Sequence, residues 1–196
     1  MGYAKSEDTR RKLVRTTGHL LRTQGYAATG MNEVIAQSGV PKGSLYHHFP
    51  GGKEELASAA LAAAGDFILR QLHSLVDDAG SPADAVSMFC AFYVHQLQES
   101  SFAKGCPLAT VALEEAGTDG PVRQSCGRGL QGIVQFFAEL LLNVGVDVDK
   151  ATSTSQFVVS SVEGAILLSK ATHSTEPLVV VDQQLRRLLH TVLEGA

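Results

Sequence analysis

The side chains with the clearest chemical potential lie in a short polar stretch from Pro41 to Phe49. Lysine, serine, tyrosine and histidine follow one another there, and such groups bind DNA phosphates and the edges of bases in the major groove. Leu45 and Phe49 are four residues apart, so they can anchor one helical face and leave the polar side chains outside. Gly43 has no side chain and would let the backbone approach a phosphate closely. The stretch therefore indicates a DNA-reading helix, with an ordinary polar helical hairpin as the alternative.

The residues before this stretch predict a second short helix and a tight turn. Apolar residues recur at helical spacing over residues 31–35, residues 29–30 offer an N-cap, and Glu33 is placed to close a capping box. Gly39 can adopt a positive φ and is expected to end that helix, and Pro41 suits the first position of the next one. Two helices joined in this way form a helix-turn-helix, whose second helix enters the major groove.

At this point the sequence resembles a known family. The run GYAATGMNEVIAQSGVPKGSLYHHFPGGKEEL is similar to the DNA-binding domain of the tetracycline-repressor (TetR) family of bacterial transcription regulators, which ends in Lys-Gly-x-Leu-Tyr-x-His-Phe followed by Lys-Glu. Two features depart from the common pattern: Gly30 replaces a frequent Ser or Thr, and the connection from Phe49 to Lys53 is one residue longer. The longer connection, with GCPLATVALE starting at Gly105, resembles the branch of LmrA/YxaF-type drug-resistance repressors.

The polar stretch and the resemblance together predict which residues contact DNA. We expect Lys42 and Lys53 to bind phosphates with help from Thr29 and Tyr46, and Ser44, His47 and Pro41 to face the bases. The complete set of predicted DNA-binding residues is Thr29, Pro41, Lys42, Gly43, Ser44, Tyr46, His47 and Lys53.

The distribution of charge along the chain is consistent with a DNA-binding protein. Residues 1–56 hold eight Lys/Arg against five acids, whereas the remainder holds eight against fifteen. A basic head on an acidic body is typical of a DNA-binding regulator, although the net charge is −4. The acid pairs Asp77-Asp78 and Glu114-Glu115 are expected to be solvated helix-end charges.

Several other classes of protein find no support in the sequence. No apolar run reaches the roughly 18 residues that span a bilayer, and the polar amino end does not match a signal peptide. The three cysteines have irregular spacing and predict neither a metal site nor a disulfide framework, which fits a reducing cytoplasm. Nucleotide-binding and hydrolase motifs are missing, so we expect no catalytic residues, no cofactor and no enzyme activity.

Helical periodicity continues along the chain and predicts an all-α protein of about nine helices. We expect an N-terminal three-helix DNA-binding domain at residues 1–52 and a larger helical ligand-binding and dimerisation domain at residues 53–196. A first helix over residues 6–24 should end at Gly25, and a long helix should start at Lys53. Two apolar C-terminal helices suggest a four-helix interface between two subunits, with packing inside one subunit as the alternative. Its predicted residues are Val158, Val162, Gly164, Ala165, Leu168, Leu185 and Leu189.

The resemblance implies an effector pocket inside the larger domain. Its candidate lining is mostly apolar and favours a small hydrophobic effector. The candidates are Phe67, Gln71, Met88, Phe92, Tyr93, His95, Phe136 and Phe157, although aromatic residues at helical spacing also occur simply as core.

The sequence therefore predicts a cytoplasmic, homodimeric repressor, without a membrane partner, that leaves a palindromic double-stranded operator when a small effector binds. Its two recognition helices should lie roughly 34 Å apart. Two alternatives stay open: a redox-sensing repressor that uses Cys106 before a helix N-terminus, and, in another class, a helical small-molecule carrier or enzyme.

Overall fold

The computed structural model describes residues 2–76 and 79–194, with side chains described from residue 6 onward. Asp77 and Asp78, the predicted helix-end acids, lie outside this part of the chain. The described residues form nine helices and no strand, so the predicted all-α class is confirmed. The helices are α1 (Gly2–Ala28), α2 (Met31–Ser38), α3 (Lys42–His48), α4 (Gly52–Val76), α5 (Pro82–Glu99), α6 (Pro107–Glu114), α7 (Pro121–Asn143), α8 (Val148–Thr172) and α9 (Glu176–Glu194).

The chain divides into two compact units. The first comprises Met1–Asp66 and Pro107–Gly129, and the second comprises Phe67–Cys106 and Leu130–Ala196. Helices α4 and α7 contribute to both units, whereas α6 belongs to the first, together with the predicted DNA-reading helices. The predicted functional boundary after residue 52 stays a prediction, but packing brings a later part of the chain to the amino-terminal helices.

A small apolar core holds the first three helices together. Leu13 and Leu20 of α1 pack with Val34 of α2 and Leu45 of α3, all almost completely buried. Leu56 from the start of α4 joins the same cluster. Because these side chains recur at helical spacing, burying them fixes how each helix is rotated about its axis. The opposite, polar face of α3 is thereby directed to solvent.

Local backbone signals end the helices largely where the sequence predicts. Gly25 has φ 77 and ψ −174, so the regular part of α1 is interrupted at the residue predicted to end it. Gly39 adopts φ 66 and its N–H donates to the carbonyl of Ile35, as expected for a glycine that terminates α2. Helix α3 begins one residue later than predicted, because Pro41 is its N-cap rather than its first helical residue.

The predicted capping box of α2 does not form. Gly30 is the N-cap and offers no side chain to the helix. Glu33 instead accepts hydrogen bonds from Gln24 at 2.8 Å and from Gln37 at 3.1 Å. The Gly30 position therefore lacks the hydroxyl that a capping box needs, and the acid is used to join α1 and α2.

The second unit is built on α5, α8 and α9. Ser87 of α5 donates a hydrogen bond of 2.5 Å to Asp182 of α9, and Arg186 donates to the Ser87 hydroxyl at 3.0 Å. Arg186 also lies 3.5 Å from Asp84. Aromatic rings fill the space nearby, with Phe89 and Tyr93 centroids 5.2 Å apart. Among the described helices, none is both long and apolar enough to cross a membrane.

Candidate nucleic-acid interface

Helix α3 presents the predicted DNA-reading residues on one accessible face. Lys42, Gly43 and His47 are exposed, Tyr46 keeps 43% of its surface accessible, and Ser44 is half-buried. Anchor residues hold the other face, because Leu45 and Phe49 are 0% and 1% exposed. Exposed amine, hydroxyl and imidazole groups over a fixed apolar anchor can bind phosphates and base edges without any rearrangement of the core. Pro41 is also exposed, at the N-terminal end of the same helix.

Gly43 is open on the side where a side chain would project. A Cβ built there would meet nothing within 4 Å. The free protein therefore does not need glycine at this position for space, and its φ is not positive. A close approach of DNA to the backbone is the role that the sequence predicts for this residue, and the vacant surface is compatible with it.

Arg10 of α1 lies beside this helix. Its guanidinium carbon is 5.2 Å from the centroid of the Phe49 ring, a cation–π distance. The residue itself is exposed. Aromatic stacking orients the guanidinium next to the end of α3 and leaves its N–H groups free to reach solvent or a phosphate.

The structure corrects the role predicted for Thr29. This residue is only 3% exposed, and its hydroxyl donates a 2.6 Å hydrogen bond to the carbonyl of Gly25. Its backbone N–H donates to the carbonyl of Tyr26 at 3.2 Å. Thr29 therefore closes the turn between α1 and α2, and its side chain is not presented to DNA.

Lys53 has partners of its own in the first turn of α4. Its ammonium nitrogen lies 4.4 Å from the centroid of the Tyr26 ring and 3.3 Å from the carbonyl oxygen of Ala27. The side chain is half-buried. A phosphate contact by Lys53 stays a prediction, and it would share the ammonium group with these two neighbours.

Glu114 is the clearest functional candidate that the sequence did not reveal. Glu114 is an exposed helix-end charge, as the sequence predicts, but its Oε2 also accepts hydrogen bonds from the N–H groups of Tyr26 at 2.8 Å and Ala27 at 2.7 Å. A contact across almost ninety residues leaves no periodic signal in the sequence. The position of this acid at the C-terminal end of α6 is the only hint, since a negative charge is unfavourable there.

The predicted effector residues occupy three different environments in the second unit. Tyr93 and Phe136 are 2% and 5% exposed and belong to the aromatic core. Phe67 and Phe157 are exposed, as is His95, whose Nδ1 lies 3.4 Å from Glu99. Gln71, Met88 and Phe92 are half-buried. The exposed members do not line an enclosed site, because their side chains face solvent in a single chain. A pocket around the buried and half-buried members stays a prediction.

The residues predicted to form the dimer interface also differ in their exposure to solvent. The structure buries five of them inside one chain, and only Gly164 and Leu168 are exposed. The buried set is Val158, Val162, Ala165, Leu185 and Leu189. These side chains are used to pack the second unit itself, so a partner would have to meet a neighbouring face.

Such a face exists on α8 and α9. A groove of about 610 Å³ is lined by Gly164 and Leu168 of α8 and by Pro177 and Val180 of α9, among other residues. Phe157, at 56% exposure, follows the same helical stripe as Gly164 and Leu168. Several exposed apolar side chains next to a shallow groove are typical of a surface covered by another protein chain.

A buried acid in α8 was also missed. Both carboxyl oxygens of Glu163 are buried, and burial raises its pKa from 4.5 to about 7, while a hydrogen bond with Cys106 acts in the opposite direction. Cys106 itself is 1% exposed. The only sequence signal for this pair is an acid within an otherwise uncharged part of α8.

The other two cysteines are buried as well. Burial raises the pKa of Cys90 to about 12 and that of Cys126 to about 11. Thiols of this kind are poor nucleophiles near neutral pH. Within the described part of the chain, no group of three or more His, Cys, Asp or Glu residues is arranged to hold a metal ion.

Comparison with known proteins gives matches over both parts of the chain. The family model for bacterial regulatory proteins of the tetR family matches residues 13–60, and the model for the C-terminal domain of LmrA/YxaF-like transcriptional regulators matches residues 82–184. The chain is 33% identical to the uncharacterised HTH-type transcriptional regulator YxaF of Bacillus subtilis, over 91% of this chain and 93% of that protein. It is 31% identical to the HTH-type transcriptional regulator LmrA of the same organism, over 93% and 97%.

Solved structures show the same fold. The regulatory protein TetR from Rhodobacter sphaeroides has a TM-score of 0.81 at 22% identity, covering 90% of this chain and 96% of that one. The reduced form of NemR from Escherichia coli has a TM-score of 0.75 at 24% identity, covering 91% and 96%. At these identities the similarity concerns the fold alone.

Proposed function

The chain belongs to the TetR family of bacterial transcription regulators, in the group with an LmrA/YxaF-like C-terminal domain, and we propose how it reads DNA and responds to its ligand. It is a ligand-responsive, DNA-binding regulator. In our proposal, α3 of each subunit enters one of two successive major grooves of a palindromic operator. A small hydrophobic effector then favours a conformation that releases the DNA, and transcription of the repressed genes resumes.

One observation supports the DNA-reading role of α3 above the others. Its polar side chains are accessible while Leu45 and Phe49 are fully buried beneath them. We propose that Lys42 binds phosphate with help from Tyr46, and that Ser44, His47 and Pro41 face the bases. Because phosphate contacts supply affinity and base contacts supply specificity, the two groups should respond differently to mutation.

A dimer is needed to present two such helices. We propose that the subunits meet through the exposed apolar face of α8 and α9, which includes Phe157, Leu168 and Val180. This replaces the buried residues of the sequence prediction and keeps Gly164 and Leu168. A two-fold interface uses the same patch on both subunits, so an exposed glycine can let two copies of α8 approach closely.

The effector site is proposed around the aromatic side chains of the second unit. Phe92 and Tyr93 stack edge to face at 5.1 Å, and Met88 and Gln71 are half-buried. Apolar and aromatic walls with few charges favour a neutral hydrophobic ligand. The ligand can shift the protein only by its difference in affinity for the two conformations, typically about 1 to 3 kcal/mol.

Binding to labelled DNA from the region flanking the coding sequence tests the main proposal. Fluorescence anisotropy should show tight binding that falls as salt rises, because each phosphate contact releases counterions. Lys42→Ala should weaken binding to all sequences and reduce the salt slope by about 1 per subunit. Arg70→Ala, which removes an exposed charge on α4, is the matched control. An unchanged affinity for Lys42→Ala would remove this residue from the interface.

The alternatives have tests of their own. A small-molecule carrier or enzyme would show no operator binding at any salt concentration. A redox-sensing repressor would release DNA after mild oxidation, and its Cys106→Ser variant would not. Since Cys106 is buried, an oxidant would first need an opening of the second unit.

A further inference from the structure

The turn between α1 and α2 is held by a carboxylate from a distant part of the chain. Immediately after Gly25, the N–H groups of Tyr26 and Ala27 both donate to Oε2 of Glu114, at 2.8 and 2.7 Å. Because the helix is interrupted at Gly25, these donors lie at the start of a new turn, where backbone N–H groups need a partner from outside the helix. Glu114 therefore acts as an N-terminal cap supplied by α6 to the last turn of α1.

Gly25 is adapted to this contact in two ways. Its φ of 77 lies in the region that favours glycine, and a Cβ at this position would lie 1.7 Å from Oε1 of Glu114. No side chain could share this space with the carboxylate. The backbone conformation and the vacant side of residue 25 thus both fit the presence of Glu114.

The same short segment is also contacted by Lys53. The lysine ammonium contacts the Ala27 carbonyl and the Tyr26 ring, and the Thr29 hydroxyl returns to the Gly25 carbonyl. The backbone from 25 to 29 is therefore fixed by a carboxylate, an ammonium and a hydroxyl. Helix α2 begins two residues later, and α2 leads through the Gly39 turn directly to α3.

We propose that Glu114 is a positioning residue for operator recognition, acting from α6 on the turn that sets the orientation of α2 and α3. This inference rests on the DNA-reading role proposed for α3. Glu114 is the last residue of α6, where a negative charge opposes the helix dipole. Its location is therefore not explained by the stability of its own helix, whereas the two backbone hydrogen bonds explain it.

Glu114 could affect DNA binding through its negative charge or through its positioning contact. The two effects predict opposite changes in DNA affinity when this acid is removed. Deleting a negative charge near a DNA-binding surface should by itself strengthen binding, since DNA is a polyanion. Loss of positioning should weaken binding, because a recognition helix that is free to reorient spends less time in the productive geometry. The direction of the change thus separates the two effects.

The experiment compares Glu114→Ala with Glu115→Ala in the full-length protein, using anisotropy on the operator fragment. Glu115 is the neighbouring acid, and its carboxylate accepts from Thr118 within the same loop. We expect Glu114→Ala to weaken binding about tenfold, equivalent to about 1.4 kcal/mol, with the salt slope unchanged. Glu115→Ala should bind equally well or slightly better. Glu114→Gln keeps an acceptor oxygen and should fall between the wild type and Glu114→Ala.

Amide hydrogen exchange supplies a readout that is independent of DNA. The N–H groups of Tyr26 and Ala27 should exchange faster in Glu114→Ala than in Glu115→Ala, whereas those of the α1 core around Leu20 should keep their protection. A global loss of protection in Glu114→Ala would mean that the residue stabilises the whole unit, and it would overturn a positioning role.

Failure of this inference differs from failure of the proposed function. If the wild type does not bind the operator fragment, the DNA-reading role of α3 is refuted. If the wild type binds and Glu114→Ala binds equally well or more tightly, the acid acts only through its charge and the positioning role is refuted.

Discussion

Replacing Glu163 by glutamine should remove a pH dependence from the stability of the protein. The buried carboxyl has a pKa of about 7, against 4.5 for a free glutamic acid. The folded state therefore keeps its proton across a pH range in which the unfolded chain has already released it. Stability from this group is complete below about pH 4.5 and is lost as the pH rises towards 7, because ionisation then favours the unfolded state.

The pKa difference sets the size of the effect. Each pKa unit corresponds to about 1.4 kcal/mol, so the Glu163 carboxyl should change the free energy of unfolding by about 3 kcal/mol between pH 4.5 and 7. Glutamine has nearly the same shape and stays neutral throughout. The free-energy difference between the wild type and Glu163→Gln should thus change by this amount across the range, in favour of the variant at the higher pH.

Urea unfolding at pH 4, 5, 6, 7 and 8 measures this difference at one fixed protein concentration, since a dimer gains stability with concentration. Glu139→Gln controls for the loss of a carboxylate, because Glu139 is exposed on α7. Removing the thiol donor in Cys106→Ala should move the transition to higher pH, since the hydrogen bond with Cys106 favours the ionised carboxyl. Parallel curves for the wild type and Glu163→Gln would refute the reasoning.

Three further substitutions test separate parts of the structure. Gly43→Ala should stabilise the free protein by about 0.5 to 1 kcal/mol in thermal unfolding, since its side is open, yet lower operator affinity; equal affinity would exclude a close backbone approach. Gly25→Ala should destabilise the protein, and a double-mutant cycle should show a smaller loss in a Glu114→Ala background; additive losses would disprove the steric conflict. Leu168→Asp should convert dimers to monomers in light scattering, whereas Leu113→Asp, at a 72% exposed site on α6, should not; persistent dimers would place the interface elsewhere.

The sequence by itself determined the fold class and the position of α3, the helix that we propose reads DNA. Leu45 and Phe49 sit at helical spacing, Gly39 marks a left-handed turn, and the polar residues of α3 fill the remaining positions. These signals are local, because each depends on neighbours within one or two helical turns. Helices with one apolar stripe reveal in this way which side will be buried.

Tertiary structure decided which of the residues predicted to bind DNA or a partner subunit make contacts within the chain instead. Thr29 and Lys53 match positions expected to face DNA, but each binds the backbone of the α1–α2 turn. Val158 and Leu185 have the periodicity of an interface and are buried within one chain instead. Periodicity shows that a face is covered, but it does not distinguish a partner subunit from the chain's own neighbouring helix.

Glu114 shows most clearly why the other contacts of the candidate site could not be predicted from the sequence. Its partners at Tyr26 and Ala27 are backbone N–H groups, which every residue except proline possesses. No side-chain type at residues 26 and 27 signals the contact, and the segment between them and α6 is long. Only the folding of α6 against α1 brings the carboxylate to these two N–H groups, next to the interruption of the helix at Gly25.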